Sequence, residues 1–121
     1  MAVPAVPGEL FHIALRADWE AALAAGRYEV STRGRTLAEE GFIHCSLRHQ
    51  VRGVADAWYA DVDDLVLLVI DPGRLGVPVR FEPPEPGAEA YPHIYGAVPV
   101  RAVCSVHPLT RGPDGGLPLP E

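Results

Sequence analysis

The sequence predicts a single mixed α+β domain. Its 121 residues are one domain's worth of chain, and at 48% hydrophobic they can hide roughly two thirds of the unfolded surface behind one core. Stretches with strand character outnumber helical ones, about five or six against two substantial helices. They follow one another at irregular intervals, which fits α+β better than the regular alternation of a doubly wound sheet.

Taken in order, residues 1–8 form a Pro-containing arm. Leu10 to Leu15 reads as a strand with Phe11, Ile13 and Leu15 on one face and His12 on the other. Asp18 is placed to cap a helix from Trp19 to Ala25, which Gly26 stops. Tyr28 to Ser31 suggests a short strand. Thr36 and Glu39 make a capping box for a helix that Gly41 ends after one turn. Phe42 to Ser46 reads as a strand, and Leu47 to Ala60 as a helix burying Val51, Val54, Ala55 and Trp58. Leu65 to Ile70 is wholly apolar, as in a central strand covered on both faces, and Asp71-Pro72-Gly73 ends it. Val79 to Glu82 is a further strand. Pro83 to Pro92 holds four prolines and reads as a loop outside any sheet ladder. Val100 to Val106 reads as the last strand, with Val100, Ala102, Cys104 and Val106 on one face. The domain spans 1–109, and a Gly/Pro-rich tail follows over 110–121.

Charge and composition remove several function classes. Ten Arg, no Lys and sixteen acidic residues leave a net charge of −6, the wrong sign for a duplex nucleic-acid binder. Without Lys there is no Schiff base, P-loop lysine or lysine base. The longest apolar run, Leu65 to Ile70, has six residues against about 20 for a membrane span. Cys45 and Cys104 make no disulfide framework and no metal or redox spacing. Met1 to Gly8 lacks the features of a signal peptide, so the expected setting is the reduced cytoplasm.

The stretch Gly41 to His49 is the most informative. Alternation puts Phe42, His44 and Ser46 on one face. Ser46 is the natural N-cap of the next helix, whose free N–H groups make an anion site beside His44. The competing reading is a capping serine with a hydrogen-bonded, partly buried histidine. His12 lies among apolar neighbours, and taken alone such a residue is more often a satisfied core histidine than a ligand. His93 and Tyr95 follow a rigid proline loop, and Gly96 lets the chain turn or approach a ligand closely. Three histidines in apolar segments favour one shared pocket. A His₃ metal site lacks any close-spaced ligand pair, so no metal is expected. Cys45 faces away from His44 and reads as a small core residue rather than a nucleophile.

Glu40-Gly41-Phe42-Ile43-His44-Cys45-Ser46, the run Leu65 to Asp71, and Pro92-His93-Ile94-Tyr95-Gly96 resemble domain-of-unknown-function family 952. Phe11-His12-Ile13 and Trp19-Glu20 match too, so the likeness covers about residues 9–109. The stretch Ser31 to Arg35 is atypical. The family's fold is thought similar to the ADP-ribosyltransferase superfamily, which includes the RNA 2′-phosphotransferases. The resemblance therefore implies two short, mostly antiparallel sheets with flanking helices and an NAD cleft between them. It maps His44 and Ser46 onto nicotinamide-side or phosphate contacts, and His12 onto the polar position of the first strand. The superfamily's catalytic glutamate has no direct counterpart: Glu82 is nearest by order and Glu89 next, and the phosphotransferase arginine set is not evident.

The expected function is an ADP-ribosyltransferase-like protein acting on NAD or a related nucleotide. Glu82 and His44 are its catalytic candidates, and His12, His44, Ser46, His93 and Tyr95 line the cleft. Tyr95 or Trp58 stacks on a ring of the ligand. The rival is a non-catalytic module that binds a small anionic metabolite or a partner protein through the same cleft. An in-cleft carboxylate discriminates between the two.

Overall fold

The computed structural model describes residues 8–109; the expected arm before Gly8 and the tail from 110 to 121 lie outside them. The chain runs β1 (Leu10–Leu15), α1 (Arg16–Ala25), β2 (Arg27–Tyr28), β3 (Val30–Thr32), β4 (Arg35–Thr36), α2 (Leu37–Glu40) and β5 (Ile43–His44). A 3₁₀ turn (Arg48–Gln50) leads into α3 (Val51–Trp58). Then come β6 (Leu65–Ile70), a second 3₁₀ turn (Pro72–Arg74), β7 (Val79–Glu82), β8 (Tyr91–Ile94), β9 (Val98–Pro99), a third turn (Val100–Ala102) and β10 (Val103–Leu109). The fold is α+β and every strand pair is antiparallel. Two three-stranded sheets, β1-β6-β10 and β5-β8-β7, are joined by two small ribbons, β2-β9 and β3-β4.

β6 organises the core because all six of its residues are buried. Leu65, Leu67 and Val69 meet Phe11, Ile13, Val51, Ala55 and Tyr59 on one side. Val66, Leu68 and Ile70 meet Leu10, Ala14, Trp19, Tyr28, Ile43 and Ile94 on the other. A strand covered on both faces gains nothing from polar alternation, which is why this run is continuous. The capping box of α2 forms as read, with the Glu39 N–H donating to Thr36 Oγ1 and the Thr36 N–H to the Glu39 carboxylate. Gly41 closes that helix at φ +87°.

Several expectations need correction. α1 starts three residues before Trp19, and Asp18 lies in its first turn rather than at its cap. The first free N–H, that of Arg16, is met by the Asp64 carbonyl at 3.0 Å, and no side chain caps the helix. The Tyr28 to Ser31 segment is divided at Glu29 between two ribbons.

Ser46 does not cap a helix. Its N–H donates to the Phe11 carbonyl (2.7 Å) and its carbonyl accepts from the Phe11 N–H (2.9 Å), so it bridges to β1. The helix start slides to Val51, and Gln50 Oε1 takes up the Leu47 N–H at 2.9 Å. α3 turns Val51, Ala55 and the following Tyr59 inward and leaves Trp58 64% exposed.

Pro92 does join a ladder, opposite Phe81 in the middle strand of its sheet. That position calls on its carbonyl, which accepts from the Cys45 N–H at 2.9 Å. The last strand begins at Val103 after a helical turn, with a bulge before Ser105. The bulge inverts the expected phase, so Cys104 and Val106 face out.

Gly96 does not adopt the left-handed conformation of a tight turn. A Cβ there would lie 2.6 Å from Val77 Cγ1 and 2.9 Å from Val77 Cβ, so this backbone packs directly on the valine. Gly96→Ala is expected to lower stability by about 1–3 kcal/mol through overpacking. The added change Val77→Ala should return part of that loss in a denaturant titration. Equal stabilities of wild type and Gly96→Ala would contradict the contact.

Candidate functional site

Register brings the site together. In the β5–β8 pair His44 lies directly opposite His93, and in the β7–β8 pair Arg80 lies opposite His93 and Glu82 opposite Tyr91. Side chains two apart on a strand share a face, so Tyr95 sides with His93 and Tyr91. The result borders a cleft of about 1070 Å³ that is also walled by β1, the β3–β4 hairpin and α3. His12, His44, Ser46, Glu82 and His93 all line it. Tyr95 stands behind, with its hydroxyl on Glu82.

Two carboxylates back two imidazoles. Glu82 Oε1 accepts from His93 Nδ1 at 2.8 Å and from the Tyr95 hydroxyl at 2.5 Å. These bonds, the tyrosine's first, hold the Glu82 carboxyl below its ordinary range, and the carboxylate in turn pushes the Tyr95 phenol up. Glu40 Oε1 faces His44 Nε2 at a longer 3.3 Å, while Glu40 Oε2 accepts from Arg35 at 3.0 Å. Burial lowers the His44 pKa, the Glu40 bond partly opposing it. Each carboxylate fixes a tautomer, with the proton on the nitrogen facing it. In the neutral ring the other nitrogen, Nε2 of His93 or Nδ1 of His44, is the acceptor.

Phe42 assembles the pair. Its ring stacks on His93 (4.1 Å, 17°) and meets His44 edge-on (4.8 Å, 72°); the two imidazoles lie 5.0 Å apart at 84°. The Arg80 guanidinium lies 4.9 Å over the Tyr95 ring.

His12 has a different task. Its Nδ1–H donates to the His44 carbonyl at 2.5 Å, and the Tyr28 hydroxyl donates to its Nε2 at 2.8 Å. Both ring nitrogens are consumed, so His12 lines the cleft but has no hydrogen bond left for a ligand. Ser46 likewise offers no N–H to an anion, because Phe11 takes it. Glu89 pairs on the surface with His49 at 2.6 Å and is not among the cleft residues. Cys45 is buried, and desolvation pushes its thiol far up, as suits a core residue. No group of three His, Cys, Asp or Glu among the described residues is arranged to hold a metal.

The atypical Ser31 to Arg35 stretch is the β3–β4 hairpin, which forms part of the cleft wall. Arg33 ties it to the end of α3: its guanidinium pairs with both Asp61 carboxylate oxygens (2.5 and 2.9 Å) and donates to the Trp58 carbonyl (3.2 Å). The Arg33 N–H donates to the Tyr59 hydroxyl at 3.1 Å. Sequence reasoning did not mark Phe42, Glu40 or Arg35 as site residues. A signal existed for two of them, since Phe42 shares a strand face with His44 and Glu40 is four residues away.

A model of the family described as "Protein of unknown function (DUF952)" matches residues 13–106. The chain belongs to the DUF952 family. It is also similar to protein CC0527 from Caulobacter crescentus. The X-ray structure of that protein is 33% identical, with 92% of this chain and 94% of that chain covered and a TM-score of 0.79. An X-ray structure of its double mutant gives 32% identity, the same coverage and 0.78. Its solution NMR structure gives 33% identity, 93% and 92% coverage, and 0.74. No curated protein matches the chain. None of these matches names an activity, and none bears on the ADP-ribosyltransferase likeness.

In this DUF952 domain the neutrality of His12 has a measurable consequence. Burial, the dominant cause, lowers its pKa from 6.5 to about 4. Above pH 6.5 neither folded nor unfolded chain protonates it. As pH falls, the unfolded chain takes the proton first, so stability is lost between 6.5 and about 4, a total of about 3 kcal/mol. His44, shifted the same way, adds to the slope. His12→Gln should flatten the pH dependence of the urea midpoint over this window. An unchanged slope would contradict the assignment.

Proposed function

We propose that this protein is an ADP-ribosyltransferase-like enzyme acting on NAD or a related nucleotide, with Glu82 as the residue that stabilises charge on the ribose. The observation that carries the reading is Glu82 itself: an ionised carboxylate at the cleft, held by Tyr95 and His93. Bound NAD supplies a ribosyl group that gains positive charge as its bond to nicotinamide breaks, the electron pair leaving with the ring. A preorganised carboxylate is the most direct stabiliser of such charge. Both described bonds to Glu82 end on Oε1, which leaves Oε2 for this task. His93 Nε2 is positioned to take the proton of an incoming hydroxyl acceptor, and the Glu82 contact steadies the imidazolium that forms. His44 Nδ1 accepts from a ribose hydroxyl.

The remaining cleft residues suit such a ligand. About 1070 Å³ is ample for a nucleotide-sized molecule. Trp58, exposed and lining the cleft, presents a stacking face, whereas the Tyr95 ring is engaged by Phe42 and Arg80. Arg33 and Arg35 supply cations for a pyrophosphate. Both already pair with carboxylates, but exposed pairs are worth at most about 1 kcal/mol, so exchanging partners costs little. His12 acts at one remove, through the His44 backbone.

Nicotinamide release, with calorimetry on NAD, tests this. Glu82→Gln should leave NAD affinity within about twofold while cutting release by about 100-fold or more, since the charge matters in the transition state. His44→Ala should weaken NAD by about tenfold, the worth of one good hydrogen bond. A Glu82→Gln protein as active as wild type would contradict the assignment. NAD binding with no release under any acceptor would favour the non-catalytic module.

A further inference from the structure

The two imidazoles of the cleft are backed unequally. Glu82 receives both of its described bonds on Oε1, from His93 and Tyr95. Glu40 divides its oxygens instead: Oε2 accepts from Arg35 Nη2 at 3.0 Å, and Oε1 faces His44 Nε2 at 3.3 Å. The contact to His44 is longer than the 2.8 Å contact of Glu82 to His93, and the acid that makes it already holds a cation on its other oxygen. A cation there draws charge toward itself, so Arg35 weakens the hold of Glu40 on a proton at His44.

This arrangement can change hands. Arg35 lines the cleft and its side chain is 55% exposed, so a ligand reaches the guanidinium directly. Its planar fork suits a phosphate as well as a carboxylate. An exposed pair of this kind is worth at most about 1 kcal/mol, so an anion in the cleft competes for it readily. Glu40 and His44 are instead tied by the fold. Glu40 ends the one-turn helix α2, and Gly41 turns the chain into β5, which carries His44. Glu40 therefore stays beside His44 when the Arg35 side chain swings away.

We propose that a phosphate group of the ligand takes Arg35 from Glu40, and that the released Glu40 carboxylate draws a proton from solvent onto His44. Anion and proton then bind as one event. The proton lands on Nδ1, because Nε2–H already faces Glu40, and no covalent bond to carbon or phosphorus changes. Charged His44 becomes a second cation for the phosphate. The ribose hydroxyl at Nδ1 then accepts instead of donating, and a hydroxyl can do either. The other groups around His44 leave this step to Glu40. His93 of β8, 5.0 Å away ring to ring, opposes a second charge, and Glu82 of β7 faces His93. Arg80 of β7 lies over the Tyr95 ring. His12 of β1 meets only the His44 carbonyl. The proposal deepens the function given above and rests on it for a phosphate-bearing ligand; the linkage of Arg35, Glu40 and His44 is testable without that ligand.

The test follows the His44 ring by ¹⁵N–¹H NMR through a pH titration. In the free protein Arg35→Gln should move the His44 midpoint up and Glu40→Gln should move it down. Both variants should fold, since the α2 capping box uses Thr36 and Glu39. ADP-ribose, whose phosphate diesters keep their charge across the titration, should move the wild-type midpoint up by about half a unit, and sulfate at matched ionic strength should move it the same way. By linkage, ADP-ribose affinity measured by calorimetry should rise roughly threefold from pH 8 to pH 5 in wild type and stay nearly level in Glu40→Gln. An unmoved midpoint in Arg35→Gln overturns the linkage. So does an anion-induced shift as large in Glu40→Gln as in wild type, which would mean that the anion acts on His44 directly. No shift with either anion also overturns it. A shift with sulfate but no binding of ADP-ribose keeps the linkage and defeats the NAD reading. ADP-ribose binding without a shift keeps the NAD reading and defeats the linkage.

Discussion

One buried, neutral imidazole holds the two halves of this molecule together. His12 sits on β1 opposite Leu68 of the central strand and spans outward to two other elements, the carbonyl of His44 on β5 and the hydroxyl of Tyr28 on β2. Tyr28 is itself buried, edge-on to the His12 ring and packed near Trp19. Only the Nδ1–H form satisfies all three groups at once, because a carbonyl can only accept and Nε2 must then take the tyrosine proton. Removing either partner strands a buried polar group, which costs about 1–3 kcal/mol. With the Ser46–Phe11 bridge beside it, this contact sets where β5 lies against β1.

From that placement the rest of the site follows by register. β5 pairs with β8 so that His44 faces His93, and β7 on the other side of β8 brings Glu82 within reach of His93 and Tyr95. Two carboxylates are thereby turned toward two imidazoles in a cleft that burial makes less polar than water. The local field settles the charge states: Glu82 and Glu40 are held ionised by their donors, and burial keeps His44 neutral.

Much of the scaffold was legible because its signals are local. The continuous run of β6, the capping box of α2, the glycine stops after α1 and α2, and the strand at Val79 to Glu82 each rest on residues a few positions apart. The errors came where a distant partner supplied what the local pattern lacked. Asp64 satisfied the first N–H of α1, Phe11 claimed Ser46, and a Cys45 N–H made Pro92 acceptable inside a sheet. Trp58 belongs to the apolar stripe by spacing, yet α3 stops there and Tyr59 fills the core place instead. In the site, the histidines and Glu82 were marked, but not their contacts. That His12 spends both nitrogens inside the protein, and that Phe42 stacks on His93 and meets His44 edge-on, depends on how separate sheets meet, which no single segment encodes.

The account turns on protons that hydrogen bonding assigns, and those can be observed. A long-range ¹⁵N–¹H correlation spectrum of the histidine rings, followed through an acid titration, reads each tautomer and each titration directly. It should show His12 protonated on Nδ1 alone and still neutral well below pH 6, with His93 also protonated on Nδ1. A His12 ring carrying its proton on Nε2, or titrating near the ordinary 6.5, would contradict the account.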